Sequence, residues 1–156
     1  MLKLVPAVWT KATSEVDTSE KYDSISKLGK LMIKRYAGIT KEIAYLVLLD
    51  NSWHIIDIVN LSEGTVNQVH LDTRRIAEHC IRTNASMALV SHNHPNGSIV
   101  PSTDDLTTTE TLAKLFRSIH VEFLEHLLIA GDKFEVLLSK SEGFFFQRAD
   151  RENFYR

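Results

Sequence analysis

Residues 86–105 read SMALVSHNHPNGSIVPSTDD. A short apolar run leads to His92 and His94, one residue apart; a proline and a turn follow, and then Ser102 and, three residues on, Asp105. The run SMALV is too short for a helix and reads as a buried strand whose end delivers the histidines. Side chains alternate along an extended chain, so His92 and His94 point the same way, about 6.6 Å apart along the backbone. Two imidazoles so placed can converge on one ion at about 2.0–2.1 Å. Pro95 helps, because the residue before a proline is pushed towards extended geometry. Asn96-Gly97 suits a turn with positive φ, and the returning chain lets Asp105 offer a third, anionic ligand. Three protein ligands leave one position for water, the open arrangement of a catalytic zinc site. Imidazole and carboxylate suit Zn²⁺, and Fe, Mn and Ni are compatible with the same ligand types.

With 7 histidines in 156 residues, chance gives about 0.3 H-x-H pairs, so the pair alone is weak. The full pattern H-x-H-P-x6-S-x2-D is expected on the order of 10⁻⁵ to 10⁻⁴ times, and it carries the argument. Its second half also reads as a helix start, with Ser102 as cap and acidic residues in the first turn favoured by the helix dipole. The two readings are compatible, since a helix start would position Asp105. Cys80 is assigned to packing. His54, His70, His79 and His120 read as surface or strand-face residues, and His126, on an apolar strand after Glu125, as a satisfied core histidine.

Working outward, SEKYDSISKLGKLMIKRYAG (residues 19–38) spaces Tyr22, Ile25, Leu28, Leu31, Met32 and Tyr36 as an amphipathic helix stopped at Gly38. EIAYLVLLD (42–50) and WHIIDIVNL (53–61) read as a hairpin, and TVNQVHL (65–71) as a third strand. DTRRIAEHCIRTN (72–84) is a helix capped by Asp72, and STDDLTTTETLAKLFRSI (102–119) is another. VEFLEHLLIAG (121–131) and KFEVLLS (133–139) form a final strand pair. The expected fold is α/β: an α+β mixed sheet flanked by helices. Residues 1–18 read as an N-terminal extension, 19–144 as the domain and 145–156 as an aromatic, Arg-bearing tail docked on it.

At 156 residues, 44% hydrophobic and 24% charged, the chain has the size and composition of one soluble domain. The formal charge of −2, from 18 basic and 20 acidic side chains, supplies no global field for nucleic acid, which stays an unsupported partner. A single cysteine excludes an internal disulfide. With neither a leader pattern nor an apolar run near the roughly 18 residues of a membrane span, a cytoplasmic protein with no membrane partner is expected. No sequence feature signals an oligomeric state.

These residues resemble the JAMM (MPN+) metallopeptidase family, and within it the RadC-like group. The likeness spans roughly residues 24–144 through EIAYLVLLD, GTVNQVH with Arg74-Arg75, NASMALVSHNHPNG, PSTDD and LEHLLIAG. It implies a JAB/MPN, cytidine-deaminase-like fold, with one Zn²⁺ and a bound water held by His92, His94 and Asp105. It also implies catalytic roles for Glu42, matching the family's general base, and Ser102, matching the serine that steadies the oxyanion. No separate cofactor-binding residue is implied. Asn96 stands where RadC-like proteins usually have serine, Glu125 where they have aspartate, and Asn93 where eukaryotic relatives have Ser or Thr. The longer RadC proteins carry a helix-hairpin-helix segment ahead of this domain, for which 156 residues leave no room, so the DNA-repair association gains little support.

The leading expectation is therefore a zinc-dependent peptidase or isopeptidase acting on a peptide or isopeptide-linked protein. The alternative is a non-hydrolytic, DNA-repair-associated or partner-binding module acting through Arg148, Arg151 and Arg156. Zinc deaminase chemistry needs H-x-E and C-x-x-C, which one cysteine cannot supply.

Overall fold

The computed structural model describes residues 16–62, 71–140 and 151–156. The expected strand TVNQVHL falls almost wholly outside them, as do His70, Arg148, most of the N-terminal segment and half of the C-terminal one. The first helix, α1 (Ile25–Tyr36), starts where the Ser24 hydroxyl accepts the Lys27 amide, and it buries Ile25, Leu28, Met32 and Tyr36 at helical spacing. Gly38, at φ +78°, turns the chain out of it. Strands β1 (Ala44–Leu49) and β2 (Ile55–Asn60) form the expected hairpin. Its loop is longer than the two residues anticipated, because the Asp50 carboxylate accepts the Ser52 and His54 amides and Trp53 takes a positive φ of 71°. Pairing therefore resumes at Ile55 rather than Trp53.

Helix α2 (Thr73–Thr83) is capped by Asp72 and closed by Asn84 in the left-handed conformation. Strand β3 (Met87–Asn93) runs three residues beyond the expected SMALV, so His92 lies within the strand rather than after it. Helix α3 (Thr103–Ser118), strands β4 (Glu122–Ala130) and β5 (Lys133–Val136), a 3₁₀ turn at Leu138–Lys140 and the short α4 (Arg151–Phe154) complete the described order. The sheet order is β2-β1-β3-β4-β5, with β3 and β4 parallel and the other pairs antiparallel. This is the mixed sheet flanked by helices.

Alternation along β1 and β3 divides the core. Tyr45, Val47, Leu49, Met87 and Leu89 join α1 on one face, while Leu46, Leu48, Ala88 and Val90 join α2 and α3 on the other. The same period of two carries Ser91 to the α1 side, where the Tyr36 hydroxyl meets its carbonyl and its Oγ, and His92 to the α3 side. On β4 a bulge opposite Ala88/Leu89 leaves Leu124 as an extra residue and resets the alternation. The reset pairs His126 with Val90 and Glu125 with Leu89. His126 is thereby sent towards α3 and Glu125 towards the α1 face.

Glu125 is fully buried, and its carboxylate accepts the amides of His126 and Leu138 and the Tyr155 hydroxyl. Beside it Phe154 is buried in the α1 core, stacked on Trp53 at 5.7 Å between ring centroids. The last residues of the chain thus fill a place in the hydrophobic interior. Phe154→Ala is expected to lower the unfolding free energy by about 3 kcal/mol, read from urea denaturation; a change below about 0.5 kcal/mol, the range of ordinary surface substitutions, would make the terminus a loose arm.

Candidate metal centre

The structure brings together Glu42, His92, His94 and Asp105, whose ligand atoms all lie within 4.8 Å of one another. His92 comes from β3. His94 follows it, its amide donating to the Ile129 carbonyl at 2.9 Å, which keeps the chain extended beyond the strand's last residue. Gly97, at φ +81°, then makes the turn. Asp105 comes from the first turn of α3, where Ser102 and Asp105 form a capping box: Ser102 Oγ accepts the Asp105 amide at 3.1 Å, and Asp105 Oδ2 accepts the Ser102 amide at 2.8 Å. The helix-start reading and the ligand reading of Asp105 both hold geometrically, because one carboxylate closes the cap and faces the histidines. Ser102 adjoins the cluster through Asp105. Since its oxygen accepts in the cap, its hydroxyl proton is available to another acceptor.

Each histidine is oriented by what its Nδ1 meets. His94 Nδ1 lies 3.0 Å from the Ser98 carbonyl, which only accepts, so Nδ1 carries the proton and Nε2 a lone pair. His92 is set by a longer relay. The Thr109 hydroxyl donates to the Asp105 carbonyl at 2.7 Å and accepts from His126 Nδ1 at 2.7 Å. His126 Nε2 therefore accepts from His92 Nδ1 at 2.8 Å, leaving His92 Nε2 for the cluster. Burial, followed by the neighbouring His92, holds the His126 pKa well below the usual histidine value, so the ring in the middle of the relay is neutral.

Both Nε2 atoms face one carboxylate: His92 at 3.1 Å from Asp105 Oδ1 and His94 at 3.2 Å from Oδ2. His92 Nε2 is nonetheless a buried nitrogen with no aligned hydrogen-bond partner; its closeness to Asp105 is electrostatic rather than a directed bond. Two imidazole nitrogens and a carboxylate held this close form a donor set that a single cation could join. Bonds of about 2.0–2.1 Å in a tetrahedron put ligand atoms about 3.3–3.4 Å apart, near the 3.1 and 3.2 Å between each Nε2 and the Asp105 oxygen it faces. The residues fit a divalent metal.

Burial pushes the Asp105 pKa up, but the His92 ring and the Ser102 amide and hydroxyl outweigh it, and the net pKa lies below the usual carboxylate value. The folded state thus holds this proton less tightly than the unfolded chain does. Stability contributed by Asp105 is complete above its unfolded value, about 3.9, and is lost as pH falls through the lower folded one. In metal-free protein, urea midpoints of Asp105→Asn are expected to vary less between pH 5 and pH 3 than those of the unaltered chain; equal slopes would refute this.

Glu42 lies two residues before β1, exposed, rather than on the strand itself. Cys80 is buried among apolar neighbours, its thiol pushed up to about 12 by burial, as a packing residue should be. His79, expected on the surface, is instead partly buried and 3.0 Å from the buried carboxylate of Asp57. Sequence reasoning placed His126 in the core but missed its bond to His92. A signal was present in Thr109, four residues after Asp105, the spacing at which a threonine hydroxyl reaches back to a helix carbonyl.

Residues 22–143 match the family described as the RadC-like JAB domain. The chain belongs to that family. A UPF0758 protein of Staphylococcus haemolyticus is 28% identical over 125 residues, covering 80% of this chain and 54% of its own. Another, of Cupriavidus pinatubonensis, is 30% identical over 131 residues, covering 83% of this chain and 58% of its own. A third, of Clostridioides difficile, is 37% identical over 94 residues, 60% of this chain and 40% of its own. This chain therefore spans little more than half the length of the first two relatives. The family and the four-residue cluster together fit a metal-dependent hydrolase.

Partners that orient ligating histidines typically contribute 10–100-fold to metal affinity. Thr109→Val removes the hydroxyl at nearly constant shape and breaks the relay behind His92. Zinc affinity, measured by competition with a chromophoric chelator, is expected to fall about tenfold; an unchanged value would show that the relay does not orient the ring.

Proposed function

We propose that this chain is a zinc-dependent peptidase or isopeptidase. The observation that carries the reading is the buried, unpartnered Nε2 of His92, turned with His94 and Asp105 towards one point beside an exposed glutamate. His92, His94 and Asp105 would hold the metal, leaving a coordination position open. Zinc bound there would acidify a water towards a pKa of about 7 and polarise an amide carbonyl.

Glu42 would take a proton from that water as its oxygen adds to the amide carbonyl carbon. It would then pass the proton to the leaving amine as the carbon–nitrogen bond breaks, acting first as general base and then as general acid. Its exposure suits this traffic, because a substrate amide can reach it without the chain opening. Ser102, its oxygen engaged in the helix cap and its proton free, donates towards the carbonyl oxygen as negative charge develops there. The capping box keeps Ser102 and Asp105 at a fixed separation, so oxyanion donor and metal ligand move together.

The substrate class is a peptide or isopeptide-linked protein. No helix among the described residues is long and apolar enough to cross a membrane; a cytoplasmic location is part of the proposal. Comparison of new protein termini in cells producing the unaltered chain or Glu42→Gln tests the reading. Termini that depend on Glu42, with zinc content equal in the two proteins, are the expected result. Equal termini with full zinc occupancy would favour a non-hydrolytic binding module.

A further inference from the structure

Asn93, the residue between the two histidines, closes β3 and is buried, with 4% of its surface exposed. Both ends of its carboxamide are committed to the segment that carries Glu42. Oδ1 accepts the Ile43 amide at 2.8 Å, and Nδ2 donates to the Lys41 carbonyl at 2.9 Å. The Asn93 main-chain amide adds a bond to the Ile43 carbonyl at 3.3 Å. The last regular pair between β1 and β3 is Ala44 with His92. Asn93 therefore extends that ladder by one step, its side chain standing in for a peptide group the neighbouring strand does not supply.

The grip on this segment has further points. The Tyr36 hydroxyl, which donates to the Ser91 carbonyl at 2.9 Å, also lies 3.4 Å from the Ile43 carbonyl, and Ser62 Oγ accepts the Ala44 amide at 2.6 Å. Glu42 thus lies between residues whose main-chain groups are fastened, while its own carboxylate stays exposed beside the metal ligands. An unfastened residue ahead of a strand would keep its backbone conformational freedom, too much for a group that must be held within about 0.5 Å.

We propose that Asn93 is the positioning residue for Glu42: its carboxamide clamps the main chain on both sides of Glu42 and so aims the carboxylate at the metal position. The proposal rests on the reading of Glu42 as the general base. It makes His92-Asn93-His94 a single device, because strand alternation turns the two imidazoles to the metal and the amide between them towards the base-bearing segment. Only an amide supplies both an acceptor for Ile43 and a donor for Lys41; aspartate keeps the acceptor but sets an oxygen against the Lys41 carbonyl, and serine is too short to reach both.

The test uses the full chain loaded with Co²⁺, whose visible absorption changes with pH as its coordinated water ionises. Glu42→Gln, Asn93→Ser, Asn93→Ala and the double variant Glu42→Gln/Asn93→Ser are compared with the unaltered protein; no Asn93 variant adds a charge beside the metal. Asn93→Ser is expected to keep Co²⁺ affinity within about threefold, well under the 10–100-fold typical of lost ligand support. Its spectral midpoint should move in the direction set by Glu42→Gln, and adding it to Glu42→Gln should move the midpoint no further. Asn93→Ala should do the same and carries the test where Asn93→Ser does not fold. A midpoint unmoved by either Asn93 variant, an additive shift in the double variant, or an affinity loss beyond about tenfold would overturn the proposal. If Glu42→Gln itself leaves the midpoint unchanged, the general-base reading fails separately. The clamp is then decided by Ile43 amide exchange, which Asn93→Ser must accelerate at least about fivefold, the factor that corresponds to a lost hydrogen bond of roughly 1 kcal/mol.

Discussion

One carboxylate joins the helix to the sheet. Asp105 closes the N-terminus of α3 through its bond from the Ser102 amide and faces the Nε2 atoms of His92 and His94 at about equal distances. A carboxylate in the first turn of a helix is favoured by the amides it meets there and by the helix dipole. This local preference places a negative charge where the loop brings back two imidazoles. The relay through Thr109 and His126 begins at the carbonyl of the same residue. Asp105 therefore governs the imidazole of His92 from both sides, directly through its carboxylate and indirectly through its main chain.

What the sheet contributes is direction. Alternation along β3 sends Ala88, Val90 and His92 to the face covered by α2 and α3, and Met87, Leu89 and Ser91 to the face covered by α1. Without the bulge at Leu124, β4 would continue in its first register and His126 would be turned away from His92. A single extra residue decides whether the relay exists. On the opposite face the same shift buries Glu125 beside Tyr155 and the apolar seat of Phe154. The bulge thus links the candidate metal site to Phe154 and Tyr155 through adjacent residues of one strand.

Much of this was legible in the amino-acid sequence where local chemistry decides the outcome. The helices over Thr73–Thr83 and Thr103–Ser118 follow from cap residues and apolar spacing; α1 follows from apolar spacing but starts at Ile25 rather than near Ser19, because Ser24 caps it, and the spacing of His92, His94 and Asp105 marked them as candidate ligands. Glu42 needed the family likeness, since an acid ahead of a strand carries no local signal. Other features depend on tertiary placement. The hairpin loop lengthened because Asp50 bonds two amides and Trp53 adopts positive φ, which no pattern of hydrophobicity encodes. His79 carries no local sign of burial because its partner, Asp57, lies on a different element. The role of Asn93 was hidden for the same reason, its partners being fifty residues earlier in the chain.

The central claim is that two imidazoles and one carboxylate hold a single metal with a position left open. X-ray absorption at the zinc edge of the loaded chain tests it most directly, because it counts ligands by type. The account predicts a first shell of nitrogen and oxygen at about 2.0–2.1 Å, with scattering from two imidazole rings and no sulfur. Scattering from one imidazole or none, or a sulfur ligand at about 2.3 Å, would contradict it.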